Sequence, residues 1–129
     1  MLKAIILDNN AIARGLLRTV LQDGGHDVVA DTNINPSNLS RTRLLAPQLL
    51  FIDAGDDAAN LEALSELRRD LPKSLIFLIS SGFTPEAVQD AAQRGVNGFI
   101  VKPFNAATVL ASIRSAVLKL VAKQKAAAA

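Results

Sequence analysis

Asp8, Asp53, Ser80 and Lys102 each stand directly after a short apolar run: Ala4–Leu7, Leu49–Ile52, Leu75–Ile79 and Gly98–Val101. Uninterrupted aliphatic runs of this length are what the strands of a parallel sheet, buried on both faces, look like in sequence. In open α/β sheets, ligands bind beyond the carboxyl ends of the strands. Two carboxylates, one hydroxyl and one ammonium should therefore meet at a single sheet edge. Carboxylates can hold a hard cation, an ammonium can neutralise an anion, and a hydroxyl can hydrogen-bond an anionic oxygen. The set suits a metal ion together with a phosphoryl group.

Positioning these groups requires strands that alternate with helices, and the intervening segments read that way. Asn9 or Asn10 can cap a first helix running to about Asp23, with Ile12, Leu16, Leu17, Val20 and Leu21 on its apolar face. Gly24-Gly25 stops it, and Asp27 to Asp31 is a short second strand. Asn35-Pro36 starts a second helix through about Leu45, and Pro47 separates it from the next strand. A third helix spans Ala58 to Leu71, with Leu61, Leu64 and Leu67 inward. Thr84-Pro85-Glu86 opens a fourth, which ends at Gly95. Asn105 caps a fifth, with Val109, Ile113, Ala116, Val117 and Leu120 facing in.

The composition narrows the possible functions. The chain has 129 residues, half of them hydrophobic, which is enough for one aliphatic core. Its apolar runs are far shorter than the roughly 20 residues needed to span a bilayer, and Met1-Leu2-Lys3 shows no secretory signal. The absence of cysteine excludes disulfide and thiol chemistry and fits the reducing cytoplasm. A pI near 9.3 is basic. However, Lys119, Lys123 and Lys125 supply the excess, because without them 11 basic residues face 12 acidic ones. No aromatic-studded basic face accompanies them, so direct nucleic-acid binding is not expected, and neither is membrane association. His26 lies in a polar turn without nearby metal-ligand spacing and reads as an exposed surface residue.

Ile6-Leu7-Asp8-Asn9, Pro47 to Asp53, Ile79-Ser80-Ser81-Gly82 and Gly98 to Phe104, in that order, resemble the receiver domain of bacterial response regulators. The resemblance covers Met1 to about Val121. It implies a flavodoxin-like, doubly wound (βα)5 three-layer α/β sandwich with a five-stranded parallel sheet. It divides the chain into a domain over residues 1–122 and a tail or linker start over 123–129. It implies that Asp53 accepts a phosphoryl group from the histidine of a sensor kinase or phosphotransfer protein. Asp8, Asn9, Asp53 and the main-chain carbonyl of Gly55 would hold Mg2+. Ser80 and Lys102 would bind phosphoryl oxygens. Ser80 and Phe99 would form the conformational switch, and Lys102-Pro103 would be a cis peptide. Such a domain signals rather than catalyses, beyond at most slow self-dephosphorylation. Its partner would be a downstream protein or an output domain outside this chain, with homodimerisation through the fourth and fifth helices as a further expectation.

Several positions depart from the family pattern. The usual acid pair is Asp8-Asn9, one carboxylate short; an amide oxygen can still coordinate Mg2+ but brings no charge. The usual Met-Pro after the phosphoacceptor is replaced by Ala54-Gly55-Asp56-Asp57-Ala58, where either aspartate can restore charge to the site or cap the third helix. Ser81 replaces the usual alanine or glycine, and the second helix lacks the usual Gly-x-Glu-Ala-Leu entry. Two other readings follow. One is a phosphorylation-independent pseudo-receiver that only binds proteins. The other is a flavodoxin-like cofactor-binding protein, which the acidic, glycine-free loop Asp8-Asn9-Asn10-Ala11 disfavours.

Overall fold

The computed structural model describes residues 2–55 and 57–128. Five strands alternate with five helices: β1 (Lys3–Leu7), α1 (Ala11–Asp23), β2 (Asp27–Thr32), α2 (Pro36–Leu45), β3 (Leu49–Ile52), α3 (Ala58–Asp70), β4 (Leu75–Ser80), α4 (Pro85–Gln93), β5 (Gly98–Val101) and α5 (Ala106–Ala128). The strands form one parallel sheet in the order β2-β1-β3-β4-β5. The order reverses between β1 and β3, which places a crevice at their carboxyl ends.

Alternation along each strand divides the core into two layers. Ile6, Phe51, Phe77 and Ile79 pack with Leu17 and Leu21 of α1 and Val109 and Ile113 of α5. Ile5, Leu7, Leu50, Ile52 and Leu78 pack on the other side with Leu64 and Leu67 of α3 and Ala91 of α4. Phe51 and Phe77 stack at 4.9 Å between ring centroids. Gly98 is required where β5 passes that stack, since a Cβ there would lie 2.7 Å from a Phe77 ring carbon.

Each helix begins on a side-chain cap that satisfies a free amide of its first turn. Asn10, Asn35, Thr84 and Asn105 accept from the amides of Ala13, Asn38, Ala87 and Thr108. Asp57 accepts from Ala59 and Asn60, so it caps α3, the second of the two roles open to it from sequence. Asp56 lies outside the described residues. α5 continues without interruption through 123–128, so most of the expected tail is helix.

Two expectations need correction. On α1, the buried residues are Ala13, Leu17 and Leu21, whereas Ile12 is 78% exposed and Leu16 57%. The apolar stripe of α1 is wider than the face that meets the sheet, and the small Ala13 takes the core position that Ile12 was expected to fill. His26 is half-buried rather than exposed, in a groove with Leu110, Ile113 and Val117 of α5, and its Nδ1 is buried without a hydrogen-bond partner. Desolvation lowers its pKa below the ordinary histidine value. A lowered folded-state pKa means that the unfolded chain binds the proton first. Stability should therefore be intact above pH ~6.5 and decline as pH falls below it. Urea unfolding between pH 7.5 and about 5.5 should show that decline, and His26→Gln should flatten it.

Candidate functional site

The carboxyl ends of β1, β3 and β5 bring Asp8, Asp53 and Lys102 together. Lys102 Nζ donates to Asp53 Oδ2 at 2.7 Å. It also lies 2.8 Å from Asp8 Oδ2, which is close enough for strong charge attraction. Asp8 is buried and Asp53 and Lys102 are mostly so, with side-chain exposures of 4%, 17% and 19%. Burial works to lower the Lys102 pKa, but close contact with Asp53 and Asp8 more than offsets it and holds the ammonium above the ordinary lysine value. One cation thus links two anions that would otherwise repel each other across the pocket.

The flanking loops complete a depression of about 380 Å³ lined by Asp8, Asn9, Asn10, Asp53, Ala54, Gly55, Asp57, Asn60 and Lys102. Asp53 Oδ1 accepts from the Gly55 amide at 3.0 Å, and this tight turn needs Gly55 at a φ of +59°. Asn60 reaches back from α3 to the Ala54 carbonyl at 3.4 Å, which ties the rewritten loop to the helix that follows. The Lys102-Pro103 peptide is cis, as the resemblance implied.

The depression fits a hard cation. Asp8 Oδ2 is a buried anionic oxygen whose near neighbour is the Lys102 ammonium at 2.8 Å, so it already faces a cation. Asp8, Asp53 and the Gly55 carbonyl offer oxygen ligands beside the depression, and Mg2+ takes one or two carboxylates and keeps several waters. Among the described residues, no three His, Cys, Asp or Glu side chains cluster, so the donor set is lean.

Not every expected residue faces the pocket chemistry. The Asn9 side-chain oxygen is engaged outside it, accepting from the Ile34 amide at 2.9 Å. The Ser80 hydroxyl closes a local turn, donating to the Gly82 carbonyl at 2.8 Å and accepting from its amide at 3.2 Å. Ser81 is exposed. Phe99 is partly buried, edge-on to Phe83 at 5.2 Å. Arg14, which the sequence reading passed over, donates to the main-chain carbonyl of Asp8 at 2.8 Å. An arginine one helical turn after a capped strand end is a weak signal on its own.

The sequence pattern of the response regulator receiver domain matches residues 4–114. The chain belongs to this family. The receiver is 27% identical over 117 residues to the chemotaxis protein CheY of Listeria monocytogenes, covering 90% of this chain and 98% of that protein. It is 25% identical over 116 residues to the DNA-binding transcriptional activator EvgA of Escherichia coli, covering 89% of this chain and 57% of that protein. The fold matches the signal receiver domain of a modulated diguanylate cyclase from Desulfovibrio desulfuricans, with a TM-score of 0.80, 24% identity and coverage of 92% and 95%. Relatives therefore include a protein matched over almost its whole length and one matched over little more than half of it. Receivers of this family are signalling domains that typically bind Mg2+ and work with histidine kinases and output domains. Among the described residues of this one, no helix is long and apolar enough to cross a membrane.

Proposed function

We propose that this receiver takes a phosphoryl group on Asp53 from a phosphohistidine of a sensor kinase or phosphotransfer protein. The observation that carries the reading is Lys102 held between Asp53 and Asp8 at 2.7 and 2.8 Å in a partly open depression. An Asp53 carboxylate oxygen attacks phosphorus, and the O–P bond forms as the P–N bond to the histidine breaks. Phosphoryl transfer needs little covalent help from the protein beyond positioning and charge neutralisation. The Gly55 amide fixes the rotamer of Asp53, and Lys102 is positioned to follow the charge from the carboxylate onto a phosphoryl oxygen. Asp8, Asp53 and the Gly55 carbonyl would hold Mg2+, which would supply the remaining charge neutralisation. The Ser80 hydroxyl leaves the Gly82 turn for a phosphoryl oxygen, and Phe99 shifts against Phe83 as it does so. The phosphorylated state is read by a downstream protein or output domain on the face of α4, β5 and α5, by shifting a pre-existing equilibrium.

A phosphorylation-independent pseudo-receiver is the second reading, and a specific observation favours it. Asn9 and Ser80 both spend their side-chain oxygens on nearby main chain instead of the pocket. Acetyl phosphate with Mg2+ separates the two. Intact-mass analysis should show one phosphoryl adduct on the native chain and none on Asp53→Asn, whereas a pseudo-receiver gives no adduct on either.

A further inference from the structure

Arg14 does not line the depression, yet its guanidinium is bound to the loop that supplies the buried carboxylate. Its Nη1 donates both to the Asp8 main-chain carbonyl at 2.8 Å and to Asn33 Oδ1 at 2.7 Å. Its Nε is buried without a hydrogen-bond partner and lies 3.7 Å from Asp31, which also pairs with Arg18. Asn33 is fixed in turn, since Asn38 of α2 donates to its main-chain carbonyl and to Thr32 Oγ1, both at 2.9 Å. Asn9 closes the strap from the other side by accepting from the Ile34 amide. The loop after β1 is thus bound to the loop after β2 by the side chains of Asn9, Arg14, Asn33 and Asn38.

We infer that Arg14, acting through Asn33, is a positioning residue for the metal corner: it holds the Asp8 peptide so that a single carboxylate can serve where the family uses two. The inference rests on the metal reading given above. Outer-shell groups that orient a ligand typically account for 10- to 100-fold in metal affinity. The planar guanidinium suits the task because one nitrogen spans two acceptors while the charge stays beside Asp31.

Positioning and simple charge make opposite predictions. A cation near Asp8 repels Mg2+, so if Arg14 acted only as a charge, Arg14→Gln would tighten Mg2+ binding and Asn33→Ala would leave it unchanged. If Arg14 positions Asp8, Arg14→Lys and Asn33→Ala, which both keep the charge, weaken Mg2+ binding by about 10-fold. The measurement is a Mg2+ titration followed by backbone amide shifts, with hydrogen exchange of the Ile34 amide as a second readout. Faster Ile34 exchange and weaker Mg2+ binding in both variants support the inference. Unchanged Mg2+ affinity in both, with or without lowered thermal stability, overturns it, as does tighter binding in Arg14→Gln. A native chain that binds Mg2+ but takes no phosphoryl group contradicts the proposed function while the titration still decides the role of Arg14. A native chain with no Mg2+ response overturns both.

Discussion

Lys102→Ala should lower the rate of phosphorylation by acetyl phosphate on the order of 100-fold, while Mg2+ binds no more weakly than in the native chain. Lys102 Nζ is the hydrogen-bonding cation on Asp53 and touches Asp8. Removing a preorganised donor from a site where charge develops typically costs on the order of 100- to 1000-fold in rate. The same lysine competes with a divalent cation for the two carboxylates. The oxygens it bridges lie within roughly 5.5 Å of each other, given its two contacts of 2.7 and 2.8 Å. At that separation and an effective dielectric near 20, their repulsion reaches roughly 3 kcal/mol before solvent screening reduces it. The alanine variant should therefore attract Mg2+ more strongly and transfer phosphoryl more slowly. A structural defect at the pocket would weaken both. Single-turnover kinetics across a Mg2+ series separates the two outcomes.

Asn9→Asp should bind Mg2+ about 10-fold more tightly, since ligand charge is what sets the affinity of oxygen sites. A carboxylate has two acceptor oxygens, so one can keep the Ile34 amide that Asn9 holds at 2.9 Å while the other turns to the pocket. Without metal, the variant adds a third acid near Asp8 and Asp53 and should be less stable than the native chain. Ligand linkage then predicts a steeper rise of melting temperature with Mg2+ concentration, by RT ln(1 + [Mg2+]/Kd). Thermal melts with and without Mg2+ check both halves. A variant destabilised without metal and equally unresponsive to Mg2+ would place Asn9 in the strap alone.

Strand and helix boundaries were legible because runs such as Leu49–Ile52 have one physical reading, and because Asn10, Asn35, Thr84 and Asn105 are strong caps. The convergence of Asp8, Asp53 and Lys102 followed from the parallel sheet alone. Side-chain direction was less legible. Nothing in Asp8-Asn9 says that the first side chain is buried at the pocket and the second turns toward Ile34. That choice depends on the loop after β2, which is distant in sequence. Ser80 likewise could not be seen to bond Gly82, since a serine at a strand end can close a turn or face a ligand equally well. On α1, seven apolar residues between Ala11 and Leu21 fit more than one face, and only packing against the sheet selected Ala13 over Ile12. The Arg14 strap joins four elements by side-chain hydrogen bonds, and no periodicity encodes such a network.

The phosphoacceptor assignment is tested most directly by chemical mapping. After reaction with acetyl phosphate and Mg2+, borohydride reduces an aspartyl phosphate to homoserine, and peptide sequencing locates the change. Homoserine is expected at position 53 and nowhere else. Homoserine at Asp8 or Asp57, or at no position in a chain shown to bind Mg2+, would contradict the assignment.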